Sequence, residues 1–415
     1  MKKELFFLIL AFIGGVLFRL WFISLVPQPF GWDQYEYEMY ALKIFNHPWM
    51  MASHSYRSYP YPLLLALFYN VVGFGNHQAV FFLQAVMDSF VGLMIYVIPR
   101  YGMKNKSTAG IGFLLYTINP FTSGYVGVLL AEVLTGFFIA GTVLLGLLFV
   151  KKPGIGSGVL FGLFAGLAAE TRNAAFLWAA IPIGLAFSFT RPCLAKLGIF
   201  LGVLLTVLYP LYVNWRDYRE LNVTTVDDFY AKEFFQGALI KKLPPFTYVY
   251  PPESVRMWME YYSEYDPGRT TQTRQAMAKK YYGMAWAIMK ADPVDYIKVR
   301  FYKMWYVWQK ENVFFYKEPG FENHRMVTYW GNAILLLFAF IGLFFWPKLQ
   351  KLQPQKVKPF RFDFVRWSII GTVLYGTLAF SVTHAEYRLT IPFYPLVILA
   401  SSVGIAAIIH HVRNI

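Results

Sequence analysis

Asp33 sits in the stretch Phe30-Gly31-Trp32-Asp33-Gln34-Tyr35-Glu36-Tyr37-Glu38-Met39-Tyr40-Ala41, just after a long apolar run. A carboxylate so placed can take a proton from an attacking hydroxyl or amine, and Tyr37, four residues on, can line a sugar pocket. The same residues also describe an amphipathic loop helix with ordinary surface acids, so residue types alone leave both readings open. Arg19, Asp88, Glu132, Glu170 and Arg172 fall within apolar runs. Glu36, Glu38, Lys43, Arg57, Glu386 and Arg388 lie at the ends of such runs or in the loop after the first. A charge inside a membrane span is costly and faces a cavity or a partner. Carboxylates and arginines gathered at one membrane face, beside aromatic segments, suit catalysis on a lipid substrate.

The elements that must position them are membrane helices. Of 415 residues, 57% are hydrophobic, 20% aromatic and only 15% charged, against about 25% charged in a soluble domain. Crossing the hydrocarbon takes roughly 20 apolar residues. Leu5–Val26 qualifies and is too long for a cleaved signal peptide. Further spans are expected at 77–99, 107–126, 130–150, 154–172, 174–190, 197–213, 327–346, 367–383 and 389–409, about ten in all. The fold class expected is an all-α polytopic membrane protein.

Net charge is +15. Alternating from a cytoplasmic N-terminus, the inner loops and ends carry 16 basic residues against Glu4 and Asp363, while segment 214–325 carries 17 basic and 14 acidic. The excess therefore sits where the positive-inside rule puts it. It orients the chain, and no nucleic-acid partner is needed to explain it. Both termini are expected to be cytoplasmic and the charged cluster to face outward. Asp88, near the middle of the second span, is the exception to that sidedness.

Three regions follow: a transmembrane module at 1–213 with a first outer loop at 27–76, a long outer loop at 214–325, and C-terminal spans at 326–415. Both outer loops are rich in Tyr, Trp and Pro, as interfacial helices are. Met284–Trp308 interleaves aromatics with Lys298, Arg300 and Lys303, and Pro293 marks a helix start. A single cysteine, Cys193, excludes an internal disulfide framework and any Cys-based zinc site. The histidines form no HExxH pattern, and no internal repeat is visible, which weakens an inverted-repeat transporter reading.

Six stretches, in order, resemble the GT-C membrane glycosyltransferases, in particular the branch of the protein O-mannosyltransferases and the lipid A aminoarabinose transferase. Asp33-Gln34-Tyr35-Glu36-Tyr37 resembles Asp-Glu-x-x-Tyr apart from Gln34. Ser58-Tyr59-Pro60-Tyr61-Pro62 resembles the Tyr/Pro-rich helix entry, closing at Val72-Gly73. Asn119-Pro120 with Leu130-Ala131-Glu132 resembles a Pro…Ser-Glu pattern. Gly162–Arg172 resembles Gly-Leu-Ala-x-x-Thr-Arg, and Lys290–Tyr296 resembles the His-Pro-x-x-Tyr segment. Ala385-Glu386-Tyr387-Arg388-Leu389-Thr390-Ile391-Pro392-Phe393-Tyr394-Pro395 resembles the Arg-Tyr-x-x-Pro-x-x-Pro signature opening the final span.

The resemblance implies a GT-C-type fold and an inverting transfer from a polyprenyl-phosphate-sugar to a lipid, glycan or protein acceptor at the outer face. It implies Asp33 as catalytic base. Arg57, Arg172 and Arg388 are the candidates to hold the departing lipid phosphate, with Lys298 and Arg300 as alternatives. Glu36, Tyr37, Tyr59, Glu132, His384 and Glu386 are further pocket candidates. Gln34 stands where the family has an acid, which puts a metal or second-acid role there in doubt. No metal site is assigned, and a divalent-metal requirement stays open. Tyr59 stands where the lipid A relatives have Lys, with Arg57 two residues earlier to compensate. Short cytoplasmic loops point to a bacterial or archaeal cytoplasmic membrane. The alternative readings are a transporter of a lipid or glycoconjugate, whose charges would line a path, and a non-catalytic assembly protein.

Overall fold

The computed structural model describes residues 2–46, 58–223, 227–240, 252–264, 270–351 and 359–413. The described residues contain helices and no strand. The chain begins with α1 (Lys2–Leu25), α2 (Asp33–Asn46), α3 (Pro60–Val72) and α4 (His77–Ile98). It continues through α5 (Lys106–Thr117), a single turn α6 (Pro120–Ser123), α7 (Glu132–Lys151), α8 (Ile155–Thr171), α9 (Ala180–Phe189) and α10 (Cys193–Tyr218). Between α10 and the last three helices lie α11 (Asp227–Leu239), α12 (Pro252–Glu264), α13 (Thr271–Ala291) and α14 (Pro293–Tyr306). The chain closes with α15 (His324–Lys351), α16 (Pro359–Ser381) and α17 (Tyr394–Arg413).

Seven helical segments are long and apolar enough to cross a membrane: Glu4–Leu25, His77–Met103, Glu132–Lys151, Cys193–Arg216, His324–Trp346, Asp363–Ser381 and Tyr387–His411. The other three expected spans form shorter helices. Segment 107–126 breaks because Pro120 lacks an N–H and disfavours helix at the residue before it. Asn119 instead caps the next turn, accepting from Thr122 N at 3.1 Å. Segment 154–172 forms the 17-residue α8. Segment 174–190 starts in two 3-10 turns, since Arg172 is extended (φ −149°, ψ 126°), and only Ala180–Phe189 is α-helical.

The break after α5 explains Arg19 and Asp88. Ending a helix frees carbonyls, and the Arg19 guanidinium donates to those of Tyr116 and Thr117, both at 3.2 Å. Its Nε pairs with Asp88 at 2.5 Å, and Asp88 also accepts from Tyr116 Oη at 2.6 Å. Arg19 is fully buried and Asp88 nearly so. The pair satisfies a broken helix inside the bundle, and neither residue lies in the cavity described below.

Close helix approach depends on glycine. A Cβ on Gly162 of α8 would run into the Ile199 carbonyl of α10, so the two backbones touch as small-residue membrane pairs do. The segment after α10 forms its own small core, where Ala231, Phe235, Tyr261, Met277 and Tyr281 join α11, α12 and α13. Asp292 caps α14, accepting from Asp295 N at 2.9 Å with Pro293 at the first position. Val294, Ile297, Phe301 and Trp305 recur on one exposed face of α14, while Arg300 and Lys303 are buried on the other.

Candidate active site

The C-terminal ends of α8 and α16 and the N-terminal ends of α7 and the last span meet around a cavity of about 830 Å³. The wall is completed by α2 through Asp33 and Tyr37, and by α11 through Phe229, Tyr230, Lys232 and Glu233. Leu130, Phe176, Leu177, Tyr282, Phe315 and Tyr316 supply apolar and aromatic surface. Charges line it in balance: Asp33, Glu132, Glu233 and Glu386 against Arg172, Lys232, His384 and Arg388.

Two backbone kinks aim the central groups. Trp32, just before Asp33, has φ +49°, and Ala385, between His384 and Glu386, has φ +61°. The left-handed region costs an L-residue about 1–2 kcal/mol, so surrounding contacts must hold both. Trp32 stacks on Tyr316 at 5.0 Å between centroids. Ala385 is fully buried. Gln34, next to Asp33, donates to Pro29 O at 2.7 Å and accepts from Leu129 N at 3.0 Å. A carboxylate could not make the first bond, so the amide serves to pin the loop bearing Asp33.

Arg388 forms the hub. Its guanidinium donates to Asp33 Oδ2 at 2.7 Å and to Glu386 Oε2 at 2.8 Å, and lies 4.6 Å from the Phe315 ring centre. Glu386 also contacts His384 Nε2 at 3.1 Å. The other imidazole nitrogen pairs with Glu233, whose Oε1 meets Lys232 Nζ at 2.8 Å. The result is a continuous chain: Asp33, Arg388, Glu386, His384, Glu233, Lys232. Opposite it, Arg172 pairs with Glu132 at 2.7 Å.

Charge balance sets the protonation of the chain. Burial disfavours the charged His384 imidazolium, but the Glu233 and Glu386 carboxylates outweigh it and push its pKa up to about 9. Burial likewise opposes the Glu233 carboxylate, yet Lys232 and His384 hold it well below the usual carboxylate range. Glu386 is lowered in the same way, burial being overcome by Arg388 and His384 while Asp33 works against it.

Of the residues singled out by sequence, the cavity brings together Asp33, Tyr37, Glu132, Arg172, His384, Glu386 and Arg388. Arg57 lies outside the described residues. Glu36 is not on the cavity wall. Tyr59 is buried beside it, its hydroxyl donating to Thr206 O at 2.9 Å. Lys298 is exposed on α14. Arg300 donates to Gly237 O at 2.6 Å and Lys303 to the same oxygen at 2.7 Å. Both cations thus serve the carboxyl end of α11, where the helix dipole favours them, and neither lines the cavity.

Gly237 also explains how α11 reaches the site. A Cβ there would collide with the Val382 carbonyl, so only glycine lets segment 382–384 lie against α11. One turn earlier, Glu233 then meets His384. Sequence reasoning missed Lys232 and Glu233, because α11 looks like any amphipathic helix until its partner, some 150 residues on, is placed.

Residues 58–215, over a third of the chain, match the family described as dolichyl-phosphate-mannose-protein mannosyltransferase. The match supports a glycosyltransferase of the GT-C type. An all-helical polytopic membrane fold agrees with that class. The matched segment contains Glu132 and Arg172 but neither Asp33 nor the chain from Glu233 to Arg388. No curated protein matches the chain.

Proposed function

We propose that the protein transfers a sugar, with inversion, from a polyprenyl-phosphate donor to a lipid, glycan or protein acceptor, with Asp33 as general base. The observation that carries this reading is the Asp33–Arg388 contact of 2.7 Å on the wall of a cavity large enough for a sugar and a phosphate. The acceptor hydroxyl or amine attacks the anomeric carbon while Asp33 takes its proton. The bond from that carbon to the phosphate oxygen breaks, and the electron pair leaves with the lipid phosphate. Arg388, and Arg172 across the cavity, stabilise the charge that grows on the departing oxygens. Arg57 is carried as a third phosphate contact on sequence grounds alone. The aromatic wall of Tyr37, Tyr282, Phe315 and Tyr316 offers ring faces to the sugar.

The active site faces the outside of a bacterial or archaeal cytoplasmic membrane in this reading, with both termini inside, as the +14 on the inner segments favours. The exposed apolar stripe of α14 rests in the headgroup region. The test uses purified protein in liposomes with a panel of polyprenyl-phosphate hexoses and pentoses, mannose included, and a mixed extract as acceptor. Formation of a glycosidic bond with inverted anomeric configuration supports the reading. Movement of the lipid between leaflets without sugar transfer would replace it with a transporter.

A further inference from the structure

The chain of ion pairs has more members than a base and a phosphate contact require. Arg388 is shared between two carboxylates, and a phosphate must compete with both for its five N–H donors. Glu386 holds Arg388 from behind, and its Oε2 is shared between Arg388 Nε and His384 Nε2. His384 in turn is clamped between Glu386 and Glu233, and both its nitrogens are within reach of a carboxylate.

We propose that Glu233 and His384 are positioning residues for Arg388: their imidazolium bridge neutralises Glu386, leaving the guanidinium available to a lipid phosphate. This rests on the reading of Arg388 as a phosphate contact. Without the bridge, Glu386 has only Arg388 to compensate its buried charge and holds the guanidinium more fully to itself. Because Glu233 belongs to α11, the bridge also ties donor binding to the docking of the α11–α13 bundle. The bundle is fixed there by Gly237 and by Lys303, whose ammonium joins Gly237 O to Thr383 O at 2.7 and 3.1 Å.

The groups facing His384 are Glu233 and Lys232 from α11, Glu386 and Arg388 from its own segment, and Asp33 from α2 beyond Arg388. The His384 imidazolium is the member pushed up to about pH 9, by the Glu233 and Glu386 carboxylates on either side of it. A phosphate monoester is already a dianion above about pH 7, so its own ionisation is silent in that range.

The probe is undecaprenyl phosphate, which tests the phosphate contact whatever the sugar is. Its Kd is measured for the full chain in detergent micelles between pH 7 and 10.5. Wild type is expected to weaken about tenfold through a midpoint near pH 9, the loss of one charge-assisted contact. His384→Gln is expected to bind about tenfold more weakly at pH 8 and to show no midpoint. Glu233→Gln keeps the imidazole but removes one supporting carboxylate, so its midpoint moves to lower pH. A Glu233→Asp variant restores the wild-type midpoint in part.

If His384→Gln binds as wild type across the range, or Glu233→Gln leaves the midpoint in place, the bridge has no such role. Arg388→Gln separates the two layers of the argument. Wild-type affinity in Arg388→Gln overturns the phosphate reading and the bridge together. Weak binding in Arg388→Gln with normal binding in His384→Gln overturns the bridge alone. Should His384→Gln fail to fold, the Glu233→Gln midpoint decides.

Discussion

Asp33 and Arg388, 355 residues apart in sequence, meet at 2.7 Å through one Oδ2–guanidinium hydrogen bond. The contact joins the start of α2 to the start of the last span, so the two ends of the chain share one cavity. Arg388 has its second hand on Glu386 at 2.8 Å. Replacing it with Lys keeps the charge but loses the planar fork that serves both carboxylates. Arg388→Lys is expected to lower sugar transfer at least tenfold and Arg388→Gln about 100-fold or more, measured as initial rates at saturating donor.

Gly237→Ala tests how α11 is held. The added methyl meets the Val382 carbonyl, and overpacking of this kind costs about 1–3 kcal/mol. The melting temperature in detergent is expected to fall. Undecaprenyl phosphate binding is expected to weaken as Glu233 retreats from His384. Unchanged melting and binding would show that α11 docks otherwise.

Gln34→Glu, which would complete the Asp-Glu-x-x-Tyr pattern that this stretch resembles, is expected to harm this protein. The donor to Pro29 O is lost and a charge enters a buried position. An unsatisfied buried group costs about 1–3 kcal/mol, read as a lower melting temperature. Gln34→Ala removes both bonds and is expected to lie in the same range.

Stability in the absence of ligand carries a pH signature with a definite sign. His384 is raised from 6.5 to about 9 in the folded protein. Its contribution is fully present below about pH 6.5 and lost as pH rises through about 9. Glu233 and Glu386 are lowered below 4.5, so theirs is present above that value and lost as pH falls below it. Thermal melts are expected to show a plateau between these limits, with the alkaline decline missing in His384→Gln.

Asp88→Ala addresses the pair that lies outside the cavity. It leaves Arg19 buried without its carboxylate partner, a change that costs about 3–5 kcal/mol. Expression or melting temperature is expected to collapse. Arg19→Met with Asp88→Leu, which removes both charges, is expected to recover much of the loss.

Apolar run length made the long spans legible in the sequence, and charge bias along the loops suggested their orientation. Asp33, Glu132, Arg172, Glu386 and Arg388 stood out because charges beside spans need a reason. Their pairing was not legible, since Arg172 chose Glu132 over the nearer Glu170 through the turn that follows α8. The break at Asn119-Pro120 was hidden within an apolar run that looked long enough to cross. Glu233 escaped because nothing local distinguishes it from Glu220 or Glu260, which pair with Arg274 and Arg256 elsewhere. Gly237, which brings it to His384, has meaning only once the Val382 backbone is beside it.

The central claim is that Asp33 takes the acceptor's proton, and Asp33→Asn tests it most directly. The amide keeps size and shape but cannot act as a base. Single-turnover transfer from the best donor of the panel, with folding checked by melting and donor capture by undecaprenyl phosphate binding, isolates the chemical step. The account predicts a rate lowered about 100-fold or more with phosphate binding retained. Transfer at the wild-type rate by folded Asp33→Asn protein would contradict it.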